Sequence, residues 1–157
     1  VSDIRFAPVL GTDEAETITV DDLDTVQAGA GDDVIEITGL DFDAIDGGSG
    51  SDTLRLTEGG YDLDRGALLN EARINSIEQI ALDGPGDINI DFSLADVLDI
   101  SGDDTLLISG DAGDTVTSLG QDWLQGNDQT VEGEIYHTYT AGGATLLVDT
   151  DIIQDIS

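Results

Sequence analysis

Two aspartates, Asp33 and Asp52, each close a glycine-rich hexapeptide: Ala28-Gly29-Ala30-Gly31-Asp32-Asp33 and Gly47-Gly48-Ser49-Gly50-Ser51-Asp52. A carboxylate beside a run of main-chain carbonyls is an all-oxygen donor set. Hard donors of this kind suit Ca²⁺, which takes about six to eight oxygens at roughly 2.3–2.6 Å. The carbonyls of Ala28, Ala30, Gly47 and Ser49 are the expected partners of the two carboxylates. Gly29, Gly31, Gly48 and Gly50 give the turns the backbone freedom to stack closely. Glu16, Asp24, Asp33, Asp43 and Asp52 follow one another in a nearly regular rhythm of nines. Each is followed two positions later by an apolar side chain: Ile18, Val26, Ile35, Ile45 and Leu54.

The elements that must position these acids are short. An apolar residue flanked by one residue on each side makes a small strand with one side chain turned inward, since side chains alternate across a strand. Two nine-residue units then make one coil, with a turn on each side. The turns at 11–16, 28–33 and 47–52 are expected to stack on one edge, and those at 20–24 and 37–43 on the other. Cations would lie between successive turns of an edge. The expected class is all-β, a parallel β-roll or β-solenoid with little helix and a β-rich C-terminal continuation.

The run Gly47 to Arg55 matches the nonapeptide G-G-x-G-x-D-x-U-x without a break, U being a large apolar residue. Residues 11–56 thereby resemble the RTX (repeats-in-toxin) β-roll, the calcium-binding module of proteins exported by bacterial type I secretion. Residues 28–33 fit with Ala in place of the first Gly. Gly11-Thr12-Asp13-Glu14-Ala15-Glu16 is a degenerate copy, and the resemblance makes Thr12, Asp13 and Glu16 candidate oxygen ligands there. The opposite edge keeps Asp24 and Asp43 but loses the glycines, which weakens its claim to a full set of ions. A looser resemblance covers Ile74–Leu82, Asp96-Val97-Leu98, Gly110–Asp114 and Tyr136–Asp149. It is to segments beside such repeats in large, repetitive bacterial surface adhesins.

Composition bounds the partners. The chain of 157 residues carries 35 Asp plus Glu against 4 Lys plus Arg, a formal charge of −31. That is enough length for one domain with a core. The four cations, Arg5, Arg55, Arg65 and Arg73, are too few for the phosphate contacts of nucleic-acid binding. The same shortage disfavours anionic membranes, and no apolar run approaches the roughly 20 residues that span a bilayer. An apolar share of 39% sets the chain apart from a disordered acidic tail. There is no Cys, so core and metal must hold the fold. There is no Met, so the chain reads as a piece of a longer protein with neighbouring domains.

Residues 1–10 read as a lead-in or cap, 11–63 as the roll, 64–73 as a corner insertion and 74–157 as the continuation and cap, all one domain. Ile74–Leu82 and Ile88–Phe92 alternate as strands, around a turn at Asp83–Asp87. Ser93 with Asp96 resembles a capping box, predicting one helical turn. Thr105–Ile108 is a further strand. Gly110–Asp114 reads as a hairpin turn whose acids bond their own backbone, with an isolated calcium site as the other choice. Ile135–Thr140 and Ala144–Val148 form a hairpin about Gly142-Gly143.

No catalytic constellation emerges. His137 is the sole histidine and has no Cys or second His to complete a zinc site. The functional expectation is non-enzymatic: a calcium-binding structural module of a secreted or cell-surface bacterial protein, folding on extracellular Ca²⁺ and forming part of an adhesin. The alternative is a carbohydrate-binding or enzyme-appended module, with Trp123, Tyr136 and Tyr139 as a sugar platform rather than an end cap, and a cell-surface glycan as partner.

Overall fold

The computed structural model describes residues 9–20, 25–37, 44–57, 62–63, 74–84, 86–91, 94–101 and 104–157. Asp24, Asp43, the insertion at 64–73 and Ser93 of the capping box lie outside the described residues. So does nearly all of the opposite edge expected at 20–24 and 37–43.

In chain order the first strands are β1 (Val9–Leu10), β2 (Thr17–Val20), β3 (Thr25–Gln27), β4 (Val34–Ile37), β5 (Ala44–Asp46), β6 (Thr53–Leu56), β7 (Asp62–Leu63), β8 (Ile74–Asn75), β9 (Gln79–Leu82) and β10 (Asn89–Asp91). The helix α1 (Leu94–Ile100) follows, then β11 (Thr105–Ser109), β12 (Thr115–Ser118), β13 (Leu124–Gln125), β14 (Gln129–Val131), β15 (Glu134–Ala141), β16 (Ala144–Asp149) and β17 (Ile153–Ile156). The protein is thus all-β with very little helix. No described helix is long and apolar enough to cross a membrane.

The strands build three sheets. A nine-stranded sheet runs β13-β15-β16-β11-β9-β6-β4-β2, with β14 paired to β15 as its ninth member. A four-stranded sheet runs β1-β3-β5-β8, and another runs β17-β12-β10-β7. All pairings are parallel except those that β15 makes with β13, β14 and β16. The chain leaves one sheet and enters another at nearly every connection, so strands adjacent in sequence are rarely adjacent in a sheet.

Apolar alternation sets the register. Ile18, Ile35, Leu54, Ile80, Ile108 and Val148 pair in succession across the large sheet. All six side chains are buried, five of them completely. Val20, Ile37, Leu56 and Leu82 form a second buried row two positions on. Val26, Ile45 and Ile74 do the same in the first small sheet, with the partly buried Val9 at its edge. Each fully buried aliphatic side chain contributes about 1.5–3 kcal/mol, so these rows are the main source of cohesion. A slip of one residue would turn a whole row to solvent.

The strand and hairpin expectations for the second half are met by β9, β10, β11 and the antiparallel pair β15 and β16. The helix is longer than the single turn expected, and its first amide, Leu94 N–H, donates to Gln121 Oε1 at 3.0 Å. The tail after Asp149 returns as β17, pairing with β12.

Candidate metal centre

The turns that precede β2, β4 and β6 lie directly against one another. Ala30 N–H donates to Thr12 O at 3.0 Å, Ser49 N–H to Gly29 O at 2.9 Å, and Gly31 N–H to Ser49 O at 2.9 Å. The stacking of 11–16, 28–33 and 47–52 required by the nine-residue rhythm is therefore present. It explains the glycines. A Cβ on Gly48, where φ is +91°, would sit on the Gly29 carbonyl. A Cβ on Gly47 would meet Asp52 Oδ2 at 2.6 Å.

The acids form a ladder up this edge. Glu16 N–H donates to Asp33 Oδ1 at 2.9 Å, Asp33 N–H to Asp52 Oδ1 at 2.8 Å, and Asp52 N–H to Glu78 Oε2 at 2.9 Å. One oxygen of each aspartate thus serves the amide one rung earlier. Its other oxygen is different. Asp33 Oδ2 and Asp52 Oδ2 are buried and have no hydrogen-bond partner among the described residues. The residues themselves are 1% and 0% exposed.

A buried carboxylate oxygen without a partner is costly, by about 1–3 kcal/mol for a neutral group and more for a charged one. At Asp52 burial pushes the carboxyl up to about 6. The Asp33 amide opposes that rise, while the charges of Glu78, Asp33 and Asp32 add to it. Each of these stacked corners thus offers an orphaned carboxylate oxygen, the kind of hard donor a divalent cation such as Ca²⁺ would take as partner. Main-chain oxygens of Ala28, Ala30, Gly47 and Ser49 come from the same two turns, and that of Ser49 already accepts the Gly31 amide.

The first turn is arranged differently. Thr12 N–H donates to Glu16 Oε1, so the Glu16 carboxylate folds back on its own loop. Thr12 Oγ1 accepts Glu14 N–H at 3.2 Å, and Asp13 is exposed. Three further acids take part in this architecture without belonging to the expected ligand set. Asp32 Oδ1 accepts Ser51 N–H at 2.8 Å and braces the two glycine-rich turns. Glu78 is the rung above Asp52, hidden from the sequence because it comes far later in the chain than the nine-residue rhythm allows. Asp114 is the third.

Gly110–Asp114 is not a hairpin. The strands it joins, β11 and β12, lie in different sheets, and each pairs in parallel with other partners. It is a corner of the same type as 47–52. The expectation that its acids bond their own backbone does hold. Asp114 Oδ2 accepts Asp111 N–H at 2.9 Å, and its Oδ1 accepts Ile88 N–H at 2.9 Å.

Among the described residues one group of three acids, Glu134, Asp149 and Asp151, brings ligand atoms within 4.8 Å of one another. Asp149 Oδ1 accepts Asp151 N–H at 3.0 Å. Such grouping is expected on a surface this acidic and defines no ligand by itself. Trp123, Tyr136 and Tyr139 are packed rather than displayed. Trp123 is buried with its Nε1–H donating to Ser118 Oγ at 2.9 Å. Tyr136 is buried, and the buried Tyr139 hydroxyl donates to Gln154 Oε1 at 2.7 Å, an oxygen that also faces His137 Nδ1 at 3.0 Å. The sugar platform considered from sequence therefore has no exposed aromatic face here.

Comparisons with protein-family models, curated proteins and solved structures gave no match to this chain.

Proposed function

We propose that this protein is a calcium-binding structural module of the β-roll type, belonging to a secreted or surface-attached bacterial protein, and that it completes its fold on meeting extracellular Ca²⁺. The observation that carries the reading is the pair of stacked corners holding Asp33 and Asp52, each with one buried oxygen lacking a partner. The chain's alternation between parallel sheets supports a roll. Val9, Val26 and Ile45 climb one sheet in step with Ile18, Ile35 and Leu54 in another. Asp33 and Asp52, with carbonyls of the same turns, would hold the ion. The ion supplies charge neutralisation and oxygen coordination and no chemistry of bond making.

Linkage gives the module its use. Ligand sites scarcely exist in the unfolded chain, so binding energy becomes folding energy. Extracellular modules bind Ca²⁺ at about 10⁻⁴–10⁻³ M. Below that concentration, in a chain of charge −31, self-repulsion keeps the stacked corners loose. Above it, the chain becomes a rigid spacer between neighbouring domains, as an adhesin requires. Circular dichroism in chelator and in millimolar CaCl₂, with bound calcium counted by elemental analysis, tests the reading. A cooperative gain of β-structure with calcium bound is expected. An unchanged spectrum with no bound calcium would reject it.

A further inference from the structure

Four acidic corners can be compared, and they differ in where the second carboxylate oxygen goes. At Asp33 and Asp52 it is buried and unpartnered. At Asp114 it accepts an amide of its own loop, from Asp111, and at Glu16 one carboxylate oxygen likewise accepts the Thr12 amide. The cause is loop length and side-chain reach. Asp52 lies five positions after Gly47, and Asp114 only four after Gly110. Both leading glycines sit under the carboxylate, at 2.6 and 2.7 Å from an added Cβ. In the shorter loop Oδ2 reaches the amide next to the glycine. In the longer one that amide, Gly48 N–H, is taken by Asp46 Oδ1 at 3.0 Å, so Asp52 has nothing to close on. The first turn has the long loop, but its acid is Glu, and the extra methylene restores the reach.

We infer that, among the described corners, the cation requirement is confined to 28–33 and 47–52, and that the C-terminal region built on the Asp114 corner folds without a cation. This rests on the calcium reading above. The C-terminal region has its own buried residues, among them Ile88, Ile90, Leu106, Ile108, Val116 and Val148. Its corner carboxylate is fully bonded to amides, one of them on the neighbouring rung at Ile88. No ion is needed to satisfy it. The corners 28–33 and 47–52 have no such closure, so removing the cation leaves two buried charges on adjacent rungs.

Hydrogen exchange on the full chain, in chelator and in millimolar CaCl₂, separates the regions. The amides of Glu16, Asp33, Ser49 and Thr53 are expected to lose protection in chelator. Those of Ile88, Asp111, Thr115 and Thr145 are expected to change by less than about tenfold, as for a separate cooperative unit. Loss of protection at Ile88 and Asp111 together with the first set would overturn the inference and leave the calcium reading standing. Equal protection of all eight in both conditions would overturn both. As a second measurement, Asp114→Asn should lower C-terminal protection equally with and without calcium and leave the number of bound ions unchanged. A lower ion count in that variant would overturn the inference even if its folding is impaired.

Discussion

Residues 9–57 and 74–157 build the same buried row in two ways. In the first region the rungs Ile18, Ile35 and Leu54 follow at short, nearly equal intervals, and the turns between them stack main chain on main chain. In the second the rungs Ile80, Ile108 and Val148 come at longer, growing intervals, which accommodate a helix and an antiparallel hairpin. The row from Ile18 to Val148 runs through both without a break. Burial therefore fixes the sheet, and the corners are free to differ in what satisfies them: in one region a carboxylate left open, in the other one closed by amides.

The largest effect expected is at a stacked corner. Gly48→Ala combines a strained φ with overlap of a neighbouring carbonyl, and should cost about 4 kcal/mol or prevent folding. Gly133 has the same φ of +91° but open space around it, so Gly133→Ala should cost only about 1 kcal/mol. Urea denaturation of both in calcium measures the difference. Equal effects would mean that the turns do not stack.

Next, Leu54→Ala and Leu106→Ala remove fully buried side chains from the two regions. Each should lose about 3 kcal/mol in calcium. In chelator the second should keep its full effect while the first, in a region already weakened, should be felt less, and a loss of the same size for both would merge the regions into one unit.

Asp52→Asn keeps the acceptor for the Asp33 amide and removes the buried charge. The calcium-linked stabilisation, about 2.7 kcal/mol at a hundredfold excess over Kd, should disappear. The chelated form should become more stable than its parent. Calcium titration monitored by denaturation midpoint reads both.

The smallest effect is that of pH on the chelated chain. The Asp52 carboxyl is raised from 3.8 to about 6 by burial, so the folded state holds its proton more tightly than the unfolded state. Its contribution to stability is full below the unfolded value and is lost as pH rises through about 6. The denaturation midpoint in chelator should fall as pH rises through that window, and Asp52→Asn should flatten the slope. Calcium, which competes with the proton, should reverse it.

Much of the first region is legible in the sequence because its determinants are local. The glycines, the acid spacing and the inward apolar positions all lie within one nonapeptide of each other. The hairpin at Gly142-Gly143 is legible for the same reason. The roles of Glu78 and Asp114 are not, because they depend on amides of Asp52 and Ile88 far away in the chain, which no local period records. The corner at Asp114 reads as a hairpin because a tight Gly/Asp turn looks alike in sequence whether the next strand folds back or passes into another sheet. The return of β17 to β12 has no sequence signal beyond a few alternating apolar residues.

Within its parallel part, each strand of the large sheet pairs, among the described residues, with the rung before and the rung after it. Tension drawn along the stacking direction loads those bonds end-on, one rung at a time, rather than shearing many together. A sheet loaded along this axis would give way rung by rung rather than all at once.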